Sequence, residues 1–457
     1  MRAAATDNQS WSEHFRATLA LGLPLIGAQI AQIAINTTDV VMLGWYGTQE
    51  LAASVLATSS FFFVYIFGAG FTHAIVPIAS QAEGRGDRQQ VRRSVRMGLW
   101  AALIYAALML PVLWFLEPIL ILLGQAPALA ELAGQYMRIA MWGLVPGLAT
   151  LALRAFFSAL SQAQAVLWSA LAGTFSNGVL NYMLIFGNWG APEMGVRGAA
   201  LASVFSGILI FVILVAWIRL NRMFAAYELF VRFWRADWHA FREIVRLGVP
   251  IGLTVIAEVG LFFASSVMMG WLGAAALAAH GIALQLAAIA FMVPMGLSNA
   301  ATVRVGQAFG RGDGQGLRRA ALMALYVGGG FALFSALLFF TIPERLIGLF
   351  LDDTKSDAAL VLATAVPLMM IAAWFQLADS VQAIGSGLLR GLKDTRVPMV
   401  LAVISYWGLG LPAALILGFW ADLGGKGIWW GLAIGLAVAA VLLNVRFFRS
   451  VRQLAFS

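Results

Sequence analysis

The sequence predicts an all-α polytopic membrane protein with twelve transmembrane helices, arranged as two parallel, pseudo-symmetric six-helix lobes. Three observations predict this fold class. Hydrophobic residues occupy 61% of the 457 positions and charged residues only 11%, whereas soluble proteins carry about 25% charged residues. The chain divides into twelve apolar stretches that are each long enough to cross a membrane. Its first and second halves also repeat one another in sequence.

Each predicted span is an apolar stretch bounded by charge clusters or by Gly and Pro residues. A helix needs about 20 apolar residues to cross about 30 Å of hydrocarbon, whereas the strands of a lipid-facing β-barrel alternate over about 10 residues. The spans are predicted at residues 17–44, 50–77, 95–122, 128–152, 160–187, 196–218, 243–271, 276–303, 319–350, 358–388, 396–420 and 427–446.

These spans define the predicted domain organisation. An N-terminal cytoplasmic tail and lobe are followed by an inter-lobe linker, a second lobe and a cytoplasmic tail. Their bounds are 1–16, 17–225, 226–242, 243–446 and 447–457.

The distribution of Lys and Arg predicts the orientation, because cytoplasmic loops of membrane proteins are enriched in both. Of the 29 basic residues, 24 lie on one side of the predicted spans, including Arg154 in a loop. Four lie on the other side, including Lys355, and Arg138 lies within a span. This asymmetry places both termini in the cytoplasm. The net charge of +8 therefore indicates topology, and no nucleic-acid partner is expected.

The two halves of the chain align without a gap when the sequence is shifted by 226 residues. Residues 21–93 then match residues 247–319 with 25 of 73 positions identical, and the GRGD segment at 84–87 matches the one at 310–313. Both GRGD segments lie on the basic side, so the two lobes run in parallel, related by an axis along the membrane normal. This organisation is typical of secondary transporters that work by alternating access.

Composition also excludes several kinds of site. The chain has no cysteine, which excludes disulfides, thiolate metal sites and cysteine nucleophiles. Its four histidines are scattered, so no zinc site is expected. No ATPase domain or phosphate-binding loop is found in the sequence. We predict no cofactor, and no metal beyond a coupling ion, Na⁺ or H⁺.

Three carboxylates lie within predicted spans, whereas the other acidic residues fall in loops or at interfaces. They are Asp39 in span 1, Glu258 in span 7 and Asp379 in span 10. A charge at mid-membrane costs about 2.5–3.5 kcal/mol even on the lenient insertion scale. Because we expect no basic residue at comparable depth in these spans, we predict that the three carboxylates bind a cation. The alternative is a protonated carboxyl group bonded to the backbone.

Polar and aromatic side chains accompany these carboxylates. Asn177 and Asn181 share one face of span 5, and amides also follow one face of span 1. Such residues either line a cavity for amphipathic organic cations or join helices through hydrogen bonds worth about 0.6 kcal/mol each. The predicted substrate-binding residues are Gln29, Gln32, Asn36, Asp39, Phe262, Gln285, Phe291, Phe375 and Gln376.

These residues resemble the multidrug and toxic compound extrusion (MATE) transporters. The resemblance covers nearly the whole chain and includes the Leu-Pro segments that open spans 1 and 7. It also includes the segment Thr38-Asp39-x-x-Met42-x-Gly44 and the stretch Gly387-Leu388-Leu389-Arg390-Gly391. The presence of both Glu258 and Asp379 is similar to the NorM-type branch.

This resemblance implies efflux of cationic drugs and dyes in exchange for Na⁺ or H⁺, without enzymatic activity. It implies one cation site at Glu258 and Asp379, and a second polar site formed by Asp39, Tyr136, Asn177 and Asn181. The sequence leaves open which site couples. None of the eight tyrosines lies in spans 7, 8 or 10, where some NorM-type members place one near the second-lobe pair.

The expected location is the bacterial inner membrane, with lipid and small organic cations as partners and a functional monomer. The motif Gly431-x-x-x-Gly435 is interpreted as an internal packing contact, with dimerisation as the alternative. Two other functions stay open. A flippase for lipid-linked saccharides shares the wider superfamily, but for anionic lipids it would need basic residues facing the cavity. A membrane-embedded enzyme would need a companion motif beside its acids.

Overall fold

The computed structural model describes residues 10–350 and 358–454, which contain helices and no β-strand. Three parts of the sequence predictions lie outside the described residues: tail residues 1–9, tail residues 455–457, and Lys355. The helices of the first half are α1 (Trp11–Tyr46), α2 (Thr48–His73), α3 (Ile75–Gly84), α4 (Arg88–Trp114), α5 (Leu116–Leu122), α6 (Pro127–Ala140), α7 (Leu144–Ala159), α8 (Gln164–Phe186), α9 (Val196–Leu220) and α10 (Arg222–Ala225).

The described residues of the second half form eight α-helices, and two π-helical segments flank the short helix α17. The helices are α11 (Trp238–Trp271), α12 (Ala274–Arg311), α13 (Gly314–Thr341), α14 (Pro343–Gly348), α15 (Ala358–Gly391), α16 (Arg396–Val403), α17 (Leu411–Leu415) and α18 (Gly424–Leu454). The π-helical segments are Ile404–Gly410 and Ile416–Trp420.

Within the described part of the chain, eleven helical stretches are long and apolar enough to cross a membrane. Helix α8, with 23 residues, corresponds to the remaining predicted span. Its length suffices, but Asn177 and Asn181 lower its mean hydropathy. Both amide side chains are fully buried, so these two asparagines face protein.

Helix α1 begins at Trp11, before the predicted start of the first span at residue 17. The cause is a local capping box that the hydropathy pattern does not reveal. The Glu13 carboxylate accepts a hydrogen bond from the Ser10 backbone N–H at 2.6 Å, and the Ser10 hydroxyl oxygen accepts one from the Glu13 N–H at 3.3 Å. This reciprocal pairing satisfies backbone donors that the first helical turn leaves free.

Two other helices extend beyond their predicted spans because of packing. Helix α18 continues past residue 446 to Leu454, since Phe447 is fully buried and Arg446 forms a 2.8 Å ion pair with Asp394. Helix α7 continues past residue 152 to Ala159. Arg154, expected in a loop, therefore lies inside α7 with 8% of its surface exposed.

The two GRGD turns have the same geometry, as the sequence repeat predicts. Gly86 and Gly312 have φ of 74° and 72°, a left-handed conformation that glycine adopts without steric cost. The following aspartates cap α4 and α13. Asp87 Oδ1 accepts a hydrogen bond from the Gln90 N–H at 2.9 Å. In the same way, Asp313 Oδ1 accepts one from the Gly316 N–H at 2.7 Å.

By packing, the described chain forms two compact units. One comprises residues 27–252, and the other comprises residues 10–26 with the described residues from 253 onward. The boundaries fall inside α1 and α11 and differ by 226 residues, so they occupy equivalent positions of the repeat. The first turns of each of these helices therefore pack with the other half of the sequence. The predicted lobe boundaries stay a prediction.

The predicted inter-lobe linker is attached to α4 within the first unit. Asp237 forms an ion pair with Arg93, which is the closest of these contacts. Arg96 Nη1 donates to the Arg232 carbonyl at 3.0 Å, and Trp100 Nε1 donates to the carbonyl of the next residue, Phe233, at 3.1 Å. One face of α4 therefore binds both a side chain of the linker, Asp237, and the linker backbone.

Candidate functional site

The first unit contains a hydrogen-bonded group around Asp39, which we call the Asp39 cluster: Asp39, Asn177, Asn181 and Ser203. Asp39 Oδ1 accepts from Asn181 Nδ2 at 2.5 Å and from Asn177 Nδ2 at 3.1 Å. The Ser203 hydroxyl donates to Asp39 Oδ2 at 2.7 Å. Asn181 also donates to the Asn177 side-chain oxygen at 3.2 Å. Three helices, α1, α8 and α9, thus supply the cluster.

The arrangement of α8 against α1 follows from residue spacing. Asn177 and Asn181 are one helical turn apart and reach the same carboxylate. One turn earlier, the Thr174 hydroxyl lies 3.0 Å from the Ala31 carbonyl of α1. Tyr136 is buried at 3% exposure, and its phenol is close enough to Asp39 to interact electrostatically. The Asn181 side-chain oxygen is buried and has no hydrogen-bond partner among the described residues.

The sequence analysis identified Asp39, Tyr136, Asn177 and Asn181 but missed Ser203. A single serine in an apolar helix gives no signal, because serine is common in helix contacts of membrane proteins. Its role becomes visible once α9 packs against α8.

The predicted amide stripe of α1 lies beside this cluster rather than in it. Gln32 and Asn36 are exposed, and Gln29 is partly buried. The hydrogen bonds described above for the Asp39 carboxylate come from α8 and α9. Substrate contact by the stripe stays a prediction.

The second unit brings Glu258 of α11 and Asp379 of α15 together. The two carboxyl groups are close enough to interact electrostatically. Asp379 is 4% exposed, and its Oδ1 is buried without a hydrogen-bond partner among the described residues. The second site therefore contains a buried carboxyl oxygen, Asp379 Oδ1, without a protein donor in the part of the chain that the structure describes.

Tyr406 adds a phenol to this acid pair. It lies in the π-helical segment Ile404–Gly410, is fully buried, and interacts electrostatically with both Glu258 and Asp379. Its oxygen accepts from Gln382 Nε2 at 2.6 Å, so its own hydrogen is available for a carboxylate. Gln382 follows Asp379 by three residues and therefore shares its face of α15. π-Helical turns inside α-helices often occur at functional sites.

Sequence reasoning missed Tyr406 and Gln382. Spans 7, 8 and 10 contain no tyrosine, whereas Tyr406 lies in span 11. An irregular helical segment has no hydropathy signature, so its position next to the acids could not be read from the sequence. The sequence signal was a tyrosine and a serine, Ser405, in the middle of an apolar span.

Arg390 also belongs to this site. Its charge acts on Glu258, and its Nη2 donates to Ser298 Oγ at 3.0 Å. No basic residue was expected at the depth of the carboxylates, yet the charge of Arg390, just beyond the predicted span 10, acts on Glu258. Side chains of a helix point back toward its N-terminus, so Arg390 at the end of α15 extends toward the acids.

The aromatic residues predicted to line the second-lobe cavity have different environments. Phe375 is 1% exposed and packs between Phe262, at 6.0 Å between ring centroids, and Trp429, at 5.6 Å. Gln376 is also buried, and its Nε2 donates to the Ala287 carbonyl of α12 at 3.0 Å.

The other predicted substrate contacts of this unit are more accessible. Gln285 is exposed and Phe291 is partly buried. Their role in substrate binding stays a prediction. The glycines of the span 12 motif contact span 11: a Cβ at Gly431 would lie 2.2 Å from the Ala414 nitrogen, so this glycine serves internal packing.

Comparison with known proteins agrees with the resemblance stated above. The MatE family model matches residues 24–183 and 250–416. A probable multidrug resistance protein NorM of Rhizobium meliloti (strain 1021) is 52% identical over 99% of this chain and 97% of its own length. A protein of the same name from Agrobacterium fabrum is 51% identical, over 97% of this chain and 96% of its own.

Solved structures share the fold. An outward-facing multidrug resistance MATE family transporter of the MOP superfamily superposes with a TM-score of 0.89 at 18% identity, covering 100% of this chain and 99% of that one. The eukaryotic MATE transporter AtDTX14 gives 0.85 at 19% identity, covering 97% and 98%. The predicted family resemblance and the predicted all-α, two-lobe fold class are confirmed.

Proposed function

Because this chain belongs to the MatE family and is a transporter rather than an enzyme, we propose that it is a multidrug efflux antiporter. It exports organic cations across the bacterial inner membrane in exchange for Na⁺ or H⁺. The observation that carries this proposal is the pair Glu258 and Asp379, two neighbouring carboxyl groups in which the buried Asp379 Oδ1 has no hydrogen-bond donor among the described residues. Such a pair requires a cation or a proton to offset its charge.

The charge balance of the second site supports coupling to a monovalent cation. With both acids ionised, Arg390 offsets one of the two negative charges, which leaves one. A single Na⁺ or a single proton removes it. The Asp39 cluster has the same net charge, because its other members are neutral amides and a hydroxyl.

Antiport follows from competition for these charges. The organic cation occupies a cavity beside ionised carboxylates. Arrival of Na⁺ or H⁺ from outside neutralises one of them and weakens the attraction for the drug, which leaves outward. Each ion that enters supplies about 2.3 kcal/mol per 100 mV of membrane potential, in addition to its concentration gradient. Both termini lie in the cytoplasm, and one chain is sufficient for transport.

The test is efflux of a fluorescent organic cation, ethidium, from proteoliposomes that contain the purified full chain. A pure Na⁺ gradient and a pure pH gradient are imposed in turn. Wild type is compared with Glu258→Gln, Asp39→Asn and, as a matched control, Glu131→Gln, which alters an exposed acid. We expect gradient-driven efflux in wild type and in the control.

The two site variants locate the coupling ion. Loss of efflux by tenfold or more, about 1.4 kcal/mol, in Glu258→Gln assigns coupling to the second site. The same loss confined to Asp39→Asn assigns it to the first. Normal efflux in both variants contradicts the coupling mechanism, and absence of efflux in wild type under either gradient contradicts the antiporter assignment.

A further inference from the structure

A buried histidine joins three helices of the second unit. His280 of α12 is fully buried. Its Nδ1 lies 3.1 Å from Trp429 Nε1 of α18. Its Nε2 lies 3.1 Å from Ser266 Oγ and 3.4 Å from Ser265 Oγ, both in α11. The proposed transport function uses none of these four residues.

The hydrogen-bond pattern fixes the protonation of this ring. The indole N–H of Trp429 is a donor only, so Nδ1 of His280 accepts and carries no hydrogen. The ring is therefore neutral and carries its hydrogen on Nε2. The hydroxyls of Ser265 and Ser266 both donate to the Phe262 carbonyl, at 2.7 and 3.1 Å, which leaves their oxygens free to accept from Nε2–H.

We call this chain of donors and acceptors the His280 relay: Trp429, His280, Ser265, Ser266 and the Phe262 carbonyl. All its side-chain donors have an acceptor. A serine hydroxyl that donates to the carbonyl of the preceding turn tends to bend its helix. The relay thus ends at the Phe262 carbonyl of α11, where the serine hydrogen bonds influence the local direction of the helix axis.

The relay is connected to both acids by aromatic packing. Trp429 contacts Phe375 at 5.6 Å between ring centroids, and Phe375 contacts Phe262 at 6.0 Å. Glu258 lies one helical turn before Phe262 in α11. Asp379 lies one helical turn after Phe375 in α15. The Phe262 and Phe375 rings therefore set the separation of the two helices beside the acid pair.

The sequence repeat argues that this relay is not a requirement of the fold. In the 226-residue register, His280 aligns with Ser54, whose hydroxyl donates to the Leu51 carbonyl of its own helix at 2.8 Å. Ser265 aligns with Asp39. The first half of the repeat therefore forms the same helices without an imidazole at this position.

We propose that His280 is a positioning residue for cation binding at Glu258 and Asp379. Its neutral ring holds Trp429 against Phe375 and donates to Ser265 and Ser266, whose hydroxyls bind the Phe262 carbonyl. This arrangement keeps the two carboxyl groups at the separation that a shared cation needs. This inference rests on the proposed function of the acid pair.

The test measures the concentration of the coupling ion that gives half-maximal ethidium efflux from proteoliposomes. Trp429→Phe keeps an aromatic ring against Phe375 but removes the N–H that donates to His280 Nδ1. His280→Leu removes the whole relay, whereas His280→Asn keeps an acceptor for Trp429. Ser54→Ala, at the position of the first half equivalent to His280, is the matched control.

We expect Trp429→Phe and His280→Leu to raise the half-maximal ion concentration about tenfold, which corresponds to about 1.4 kcal/mol. His280→Asn should recover much of this loss, and Ser54→Ala should behave as wild type. A purely structural role would lower protein yield and maximal rate while leaving the half-maximal concentration unchanged. If His280→Leu does not insert, Trp429→Phe decides.

Two outcomes separate this inference from the function on which it rests. Wild-type efflux that depends on Glu258, with an unchanged half-maximal concentration in Trp429→Phe and His280→Leu, overturns the positioning role alone. Wild type without ion-driven efflux, or with efflux indifferent to Glu258→Gln, overturns the proposed site and the positioning role together.

Discussion

Tyr406 and Gln382 form a buried side-chain hydrogen bond in the second unit. The amide N–H of Gln382 donates to the phenol oxygen at 2.6 Å, while Gln382 Oε1 is buried without a partner among the described residues. Removing one member of a buried hydrogen bond costs about 1–3 kcal/mol, whereas replacing both by apolar groups can be nearly neutral. Comparing a single with a double replacement of these two residues therefore distinguishes an effect on stability from an effect on transport.

We therefore predict that Tyr406→Phe lowers stability by about 1–3 kcal/mol, because it leaves the Gln382 N–H without an acceptor. The double variant Tyr406→Phe with Gln382→Leu should recover most of that stability. It should still couple poorly, because the hydroxyl and the amide near the acids are both gone. Thermal unfolding in detergent and ion-driven efflux measure the two effects. Recovery of coupling in the double variant would contradict a role for these groups at the site.

At the scale of helices, the sequence predicted the features that depend on local composition, namely the spans, the buried acids and the shared helix faces. Hydropathy placed the spans, and the cost of a buried charge singled out Asp39, Glu258 and Asp379. The spacing of Asn177 and Asn181 placed both on one face, and the structure joins both to Asp39.

What the sequence could not provide depends on packing between helices. Ser203 and Gln382 become partners of the sites only through tertiary contacts. Tyr406 is oriented by a π-helical segment that has no compositional signal. Arg390 lies just beyond the predicted span 358–388, and the length and direction of its side chain bring it near Glu258.

The attachment of the linker to α4 predicts a pH dependence of stability. The hydrogen bond from Arg93 lowers the pKa of the Asp237 carboxyl below its ordinary value. A carboxyl whose pKa is lower in the folded state stabilises that state above the unfolded pKa of about 3.9. Its contribution is lost as the pH falls through the lower folded pKa. Because Arg93 remains partly exposed, the contribution is about 1 kcal/mol.

We expect Asp237→Asn to be less stable than wild type by about 1 kcal/mol at pH 7, with the difference shrinking as the pH falls below the unfolded pKa of about 3.9. Asparagine can still accept the bond that Asp237 Oδ1 receives from the Ala240 N–H, so the variant isolates the ion pair. Thermal unfolding of detergent-solubilised protein between pH 7 and pH 3 measures the difference. Glu228→Gln, in a more exposed ion pair with Arg92, should have little effect. A pH-independent difference would contradict the ion pair as the source of the lost stability.

At the scale of the whole molecule, the repeat and the basic residues make one joint prediction about topology. The equivalent GRGD turns have the same backbone geometry, and basic residues concentrate near both. Two parallel halves require these turns to lie on the same side of the membrane, and the positive-inside rule assigns that side to the cytoplasm. An antiparallel duplication would place them on opposite sides.

Because the chain has no cysteine, single cysteines can test this orientation without background. Gln89 and Gln315 are exposed residues at equivalent positions after the two turns, and Gln125 is exposed between α5 and α6. A membrane-impermeant maleimide should label Gln125→Cys in intact cells, and label Gln89→Cys and Gln315→Cys only after permeabilisation. Labelling of one turn variant but not the other in intact cells would contradict the parallel arrangement. Labelling of both turn variants in intact cells, with Gln125→Cys protected, would be consistent with parallel halves but would invert their orientation. An inverted orientation would reverse the direction in which the same ion gradient drives the substrate.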